Sequence, residues 1–285
     1  MKYFEGFYIK CSGKKDALAV IFGRQVFNKE KSSFIQIITK DKSYSIAFVN
    51  SDNNMFNEKK FEVRVGKNFA DTAGLYLDIN SSEIIAKGHV AFGNFSKIKY
   101  GAMGPLKFLP KMECKHCVVS MKHRLNGQII LNGEIFDFDD GIGYIEGDKG
   151  CSFPQKYFWS QCNNESKGVS LFASAARIPY MGIRFMGTIC VAHFKGKEYR
   201  FASYLGARVK EINAEKLLIK QGRKQLDIEL LDKGKGLPLL APNLGQMTRT
   251  IEESLERKVR YKLSVGKNIL FDFISDRAVY EYSSI

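Results

Sequence analysis

The sequence predicts an all-β protein, and three observations carry that expectation. Apolar and polar residues alternate in short runs along most of the chain. Asn-Gly and Gly-Lys pairs punctuate those runs at hairpin-like intervals. Helix-like composition is confined to one segment near the C-terminus. Many short strands at this spacing make a sandwich or barrel rather than a parallel α/β sheet.

The elements follow in order. Phe7–Lys10 opens the series within the aromatic stretch YFEGFYIK. Phe34–Thr39, Tyr44–Val49, Phe61–Val65, Leu75–Ile79 and Ile84–Phe92 then alternate apolar with polar residues and are rich in β-branched and aromatic side chains. Cys117–His123 and Ile129–Asn132 come next, with turns expected at Asn126–Gly127 and Asn132–Gly133. In GYIEGDKGCSFPQKYFWSQCN, Tyr144, Glu146 and Asp148 alternate, as do Trp159, Gln161 and Asn163. Ser152 and Pro154 mark the connection between those two runs. Val169–Ala173, Ile189–Phe194 and Glu198–Ala202 follow, the last pair joined at Gly196–Lys197. Lys216–Lys220 and Leu226–Leu230 precede a Gly-Lys-Gly break at Gly234–Gly236. Thr248–Lys258 dissents: Thr250 stands three residues before Glu253, a capping-box spacing, so it reads as a short helix or as the entry to a strand. The turn-rich stretch Asp137–Gly143 suggests two β domains, residues 1–140 and 141–285.

Composition bounds the function. With 285 residues and 45% hydrophobic content the chain can bury a large core, and it carries no low-complexity tract. No apolar run approaches the roughly 18–20 residues of a membrane span, and MKYFEGFYIKC lacks the form of a secretory signal. The six cysteines are scattered rather than arranged as a disulfide framework. A cytoplasmic protein is expected. The net charge of +14 favours polyanions, and an anionic membrane surface is an expected peripheral partner. Nucleic acid is not expected as a partner, because the aromatic residues lie in apolar neighbourhoods such as IPYMGIRFM rather than beside basic clusters.

Each chemical motif has a plainer alternative. Cys114-Lys115-His116-Cys117 with His123 offers metal-type donors, but no second CxxC completes a zinc set and the segment reads as a strand. No metal is expected; His116 or His123 is expected to line a cavity. No GxGxxG or GxxxxGK[ST] pattern supports nucleotide chemistry. In GYIEGDKG, Asp148 and Lys149 suit an exposed turn, whereas Glu146 sits beside Ile145 before an aromatic strand, where an unpaired carboxylate costs most. Glu5 stands among aromatics, as an edge-strand charge or as part of a cavity rim.

Two of these segments resemble the tocopherol cyclase family. YFEGFYIK is similar to that family's FEGWY-[FY]-K element. GYIEGDKGCSFPQKYFWSQCN is similar to its central element, an acidic turn leading through Ser-Phe-Pro to an aromatic-x-Trp-x-Gln-Cys-Asn strand. The likeness continues through Met112–His123, through LPLLAPNLGQMTRT and into Arg277–Tyr282, nearly the whole chain. It implies a lipocalin-like double β-barrel or paired β-sandwich with few short helices, related in shape to carotenoid hydratases.

It also implies a redox-neutral reaction without cofactor, in which the phenol of a prenylated hydroquinone adds across the nearest alkene. Such a site needs an acid for the alkene, rings that shelter a cation, and a group that holds the phenol. Carried over position by position, Glu146 is the first choice for the acid and Asp148 the alternative, with Tyr144 and Trp159 as rings facing the cation. Trp159, Gln161, Asn163, Tyr157, His116, His123 and Glu5 bind the substrate. Phe7 stands where the family often has Trp, and Lys149 where plant members carry Trp, so the ring-lined part of the site is expected to differ. An enzyme should bury converging Glu146 and Asp148. A lipocalin-like carrier would turn them to solvent around an apolar cavity, and a basic surface binder would lose its polyanion with salt.

Overall fold

The computed structural model describes residues 2–49, 54–110, 112–180 and 182–284. Two antiparallel sheets hold most of them. The first is built from β1 (Lys2–Ser12), β2 (Ala17–Phe27), β3 (Glu30–Ile38) and β4 (Ser43–Val49). It continues with β5 (Met55–Asn57), β6 (Glu62–Val65), β7 (Asn68–Ala70), β8 (Gly74–Asn80) and β9 (Ile85–Phe92). The long β10 (Cys114–Leu131), β11 (Glu134–Asp137) and β12 (Gly141–Gly150) complete it.

The second sheet contains β13 (Lys156–Asn164), β14 (Val169–Tyr180), β15 (Ile183–Phe194), β16 (Lys197–Ala202) and β17 (Arg208–Ile212). After these come β18 (Lys216–Gln221), β19 (Lys224–Leu230), β20 (Leu237–Asn243), β21 (Gln246–Val265) and β22 (Asn268–Ser284). Among the described residues, helical turns are limited to two 3-10 segments, Gly104–Phe108 and Ser203–Leu205. No helix among the described residues is long and apolar enough to cross a membrane. The all-β class with few short helices is the one observed.

Strand order in the first sheet is β4-β3-β2-β1-β12-β10-β9-β8-β7-β6-β5, with β11 beside β10. β6 packs back onto β2 and β3, so this sheet rolls over its own core of Phe7, Ile9, Val20, Ile35, Val63, Leu77, Ile129 and Ile145. Asn54 ties the roll, donating to Ser33 Oγ at 2.8 Å and accepting from the Gly66 amide at 3.1 Å. No pairing between β4 and β5 closes it into a barrel among the described residues. The second sheet runs β16-β15-β14-β13-β22-β21-β19-β18-β17 over a separate core that includes Phe158, Cys162, Leu217, Ile228, Tyr261 and Phe273.

By contacts the chain forms two units. The first gathers Met1–Lys97, His116–Ser152 and Leu239–Thr250; the second holds Ile98–Lys115, Phe153–Pro238 and Ile251–Ile285. Residues 141–152 thus belong with the first unit, because β12 pairs with β1 from Phe4↔Gly150 to Ser12↔Ile142. The hairpin at 239–250 joins the same unit through Gln36, which accepts from the Leu240 amide and donates to its carbonyl, both at 3.0 Å. Gln25 takes the Met247 amide at 2.7 Å, and the Gly245 amide reaches the Cys151 carbonyl.

One local expectation is corrected, and one reading left open is resolved. Asn126–Gly127 is not a turn but lies inside β10, where Gly127 has φ +126° and its absent side chain leaves room for the His89 carbonyl. Asn132–Gly133, with φ +51° and +88°, is the hairpin turn. Thr248–Lys258 is strand throughout, buried at Ile251, Glu253, Leu255 and Arg257. The charged residues at two of those inward positions hid the alternation. Arg257 is accommodated by donating through Nε to Asp232 at 2.6 Å.

Candidate functional site

β12 lies between β1 and β10. Alternation sends Ile145 to the rolled core and leaves Tyr144, Glu146 and Asp148 on the other face, where Tyr8 stands opposite Glu146. β10 brings His116 to that same face. His116 Nδ1 lies 3.1 Å from Asp148 Oδ1, and its Nε2 lies 3.6 Å from Glu146 Oε2. Tyr144 OH donates to Glu146 Oε2 at 2.6 Å. Glu146 is only 6% exposed and Tyr144 is fully buried.

The electrostatics follow from this clamp. Burial alone would lower the His116 pKa, but the Asp148 and Glu146 carboxylates outweigh it and push it up to about 9. Burial, then the Glu146 charge and hydrogen bond, hold the Tyr144 phenol well above its usual range, so it remains a donor. The cluster therefore stores one proton on an imidazolium between two carboxylates. Donor atoms of His116, Glu146 and Asp148 lie within 4.8 Å of one another, a metal-ligand spacing. Because the two carboxylates face opposite ring nitrogens, a cation there would have to displace the imidazole proton.

His123 is elsewhere. Its ring packs against Phe92 and Phe95 at 4.7 and 4.8 Å between centroids, on the core side of the sheet. Ser120 Oγ gives its hydrogen to the Lys122 carbonyl at 3.0 Å, so it accepts from His123 Nδ1 at 3.0 Å. Burial lowers the His123 pKa to about 3 and keeps the ring neutral. Gly143 makes room for it: a Cβ there would lie 2.1 Å from His123 Nε2. Cys117 also faces the core, beside Phe7 and Gly147, and burial keeps its thiol protonated. His116 and His123 thus occupy opposite faces of the sheet.

Glu5 is also separate from the His116 cluster. Its carboxylate takes Arg24 Nη2 at 2.6 Å and Nε at 3.0 Å, with Tyr3 OH at 3.1 Å. Arg24 in turn lies over the Phe56 ring at 5.0 Å. Lys149, the position of a ring in plant members of the resembling family, is paired with Glu58.

The remaining predicted residues belong to the second unit. Tyr157, Trp159, Gln161 and Asn163 alternate along β13 with Phe158 and Cys162, which face that unit's core. Trp159 and Gln161 are buried even so. Tyr157 OH donates to Glu281, a buried carboxylate placed opposite Trp159 in the β13–β22 register. Sequence reasoning gave Glu281 no role. Its signal was a lone carboxylate between Tyr280 and Tyr282, the same polar-in-aromatic setting that singled out Glu146.

Comparison with known proteins places these features in context. A family model described as tocopherol cyclase-like matches residues 81–282. A probable chloroplastic tocopherol cyclase of Oryza sativa subsp. japonica is 28% identical over 168 residues, covering 54% of this chain and 34% of that protein. The chloroplastic tocopherol cyclase of Zea mays is 27% identical with the same coverage. This chain spans about a third of the length of those curated relatives. CghA solved with Sch210972 superposes with a TM-score of 0.65 at 8% identity, covering 100% of this chain and 89% of that one. Kievitone hydratase from Nectria haematococca gives 0.55 at 10% identity, covering 99% and 89%. A putative AttH from Nitrosomonas europaea gives 0.57 at 10% identity, covering 99% and 92%. At such identities these structures share the fold.

Proposed function

Because this chain belongs to the tocopherol cyclase-like family, we propose that it is a redox-neutral acid–base enzyme acting on an apolar prenylated or isoprenoid substrate. The observation that carries this reading is the imidazolium of His116 held between Glu146 and Asp148, with Tyr144 behind Glu146. A carrier needs no such arrangement, and an apolar cluster of the same volume there would be at least as stable. The carboxylates converge instead of turning outward.

The reaction that fits the cluster is intramolecular addition of a phenol to an alkene. His116 passes its proton to Glu146, which delivers it to the less substituted alkene carbon. The tertiary cation at the neighbouring carbon is captured by the phenol oxygen, forming the C–O bond as the O–H bond breaks. Asp148, against the other ring nitrogen, accepts that proton and restores it to His116. One proton enters and one leaves, so nothing is oxidised or reduced. An imidazolium near pKa 9 is a poor acid towards an alkene by itself; it keeps the carboxylate supplied with a proton.

The test uses a phytylated hydroquinone in detergent, in deuterated buffer. The expected product is a chromanol with one deuterium on the former alkene. Glu146→Gln should lower turnover about 10²- to 10⁴-fold, while equilibrium dialysis of the substrate in the same detergent still shows binding. Activity should fall as pH rises through about 9, where His116 loses its proton. Binding without any turnover by the unaltered protein would give the carrier reading instead; turnover unchanged in Glu146→Gln would remove Glu146 from the chemistry.

A further inference from the structure

One exposed segment of the second unit is built in a way that the acid–base cluster does not use. The connection from β9 to β10 turns at Lys99–Ala102, and Tyr100 adopts the left-handed backbone region at φ +61°. That turn is clamped from within the unit. Arg200 donates to the carbonyls of Lys99, Gly101 and Ala102, while Glu198 accepts the Lys99 amide at 2.8 Å. Arg200 is itself held by Glu198 at 3.0 Å and bonds to Tyr204 OH at 2.9 Å. Carbonyls on both sides of Tyr100 are therefore fixed, yet its ring is 85% exposed.

The same short stretch shows a second ring. Phe108 ends the 3-10 segment and is 77% exposed, with Lys107 Nζ over it at 4.9 Å. The Lys107 carbonyl is secured by Lys115 at 2.9 Å. Leu205, on the other 3-10 segment that packs against this one, is 50% exposed. Exposed apolar side chains grouped on one surface, rather than scattered singly, mark a place where something else binds. Charge identifies what. From Gly93 to Met112 the sequence has four lysines, at positions 97, 99, 107 and 111, and no Asp or Glu.

We propose that this clamped turn and 3-10 segment form a docking surface for an anionic lipid bilayer. Tyr100, Phe108 and Leu205 enter the headgroup boundary, and Lys99 and Lys107 meet the lipid phosphates. Aromatic rings with flanking lysines are the composition that bilayer interfaces favour. A partner protein with a mating groove would not account for the lysine excess. A nucleic-acid platform would present rings on strand faces rather than on loop tips. The inference stands independently of the chemistry above.

The test is flotation of the full chain with vesicles of phosphatidylcholine alone or mixed with phosphatidylglycerol, at low and high salt. The unaltered protein is expected to float with the anionic vesicles at low salt and to be released by high salt. Lys99→Gln with Lys107→Gln should weaken this by about fivefold per lysine. Tyr100→Ser with Phe108→Ser should weaken it at least as much. Lys15→Gln with Lys31→Gln, an equal charge change on exposed residues of the first unit, should do neither. All variants should melt like the unaltered chain, since none loses a buried side chain.

The proposal is overturned if the unaltered protein ignores anionic vesicles or binds both kinds equally. It is overturned too if the Lys15/Lys31 pair matters as much as Lys99/Lys107, or if the ring variant floats unchanged. Two other results would reassign the surface: a dimer that the ring variant dissolves, or an oligonucleotide affinity that it abolishes.

Discussion

His123 is a titratable group kept from titrating, and the sign of its effect on stability can be worked out. Its folded pKa of about 3 lies below the ordinary 6.5, so the unfolded chain takes up the proton first. Stability should fall as pH drops below about 6.5, by up to about 1.4 kcal/mol per pH unit, until pH approaches 3. His116 works the other way. Its folded value of about 9 makes its contribution complete below 6.5 and progressively lost as pH rises through 9. Urea midpoints measured between pH 7 and pH 4 should therefore decline less in His123→Phe than in the unaltered chain. Equal declines would place the acid sensitivity in the carboxylates. Tyr144, Glu146 and Asp148 were legible as one face because strand alternation is written in the sequence. Their partner was not: His116 stands 32 positions from Asp148, and a single sequence does not show which strands are neighbours.

Among the elements, β10 teaches most about turn signals. Two Asn-Gly pairs occur within it and at its end, and only Asn132–Gly133 turns the chain. Gly127 is glycine for a different reason, because a Cβ would lie 2.3 Å from the His89 carbonyl on β9. At Gly133 nothing lies within 4 Å, so only the backbone conformation resists a side chain. Gly133→Ala should cost about 1 kcal/mol, whereas Gly127→Ala should cost about 3 kcal/mol or more, since backbone must move. Chemical denaturation of the two variants measures this, and equal costs would contradict the close-approach reading. β21, left open by the sequence between a short helix and a strand entry, is disguised by two charged residues on its inward face. Its inward face is Ile251, Glu253, Leu255, Arg257 and Val259, and a carboxylate and a guanidinium break the apolar period that identifies a strand.

At the scale of the whole molecule, the all-β class was readable from strand number and turn spacing, and the paired arrangement from the family resemblance, but the path of the chain between units was not. The first unit needs β12 beside β1 and needs the 239–250 hairpin on Gln25, Gln36 and Cys151. A fragment ending at residue 140 leaves one edge of β1 unpaired in the middle of its sheet. It should aggregate or remain unfolded, as judged by gel filtration and by proton exchange of the β1 amides. A monomeric fragment with protected β1 amides would contradict that. The late hairpin also bears on synthesis. Domains commonly fold in order of synthesis as the ribosome releases them, yet here the first unit waits for residues 239–250. Strands β1 to β4 leave the exit tunnel long before the hairpin that supplies their last contacts, so the nascent chain has a long interval in which chaperones could hold it.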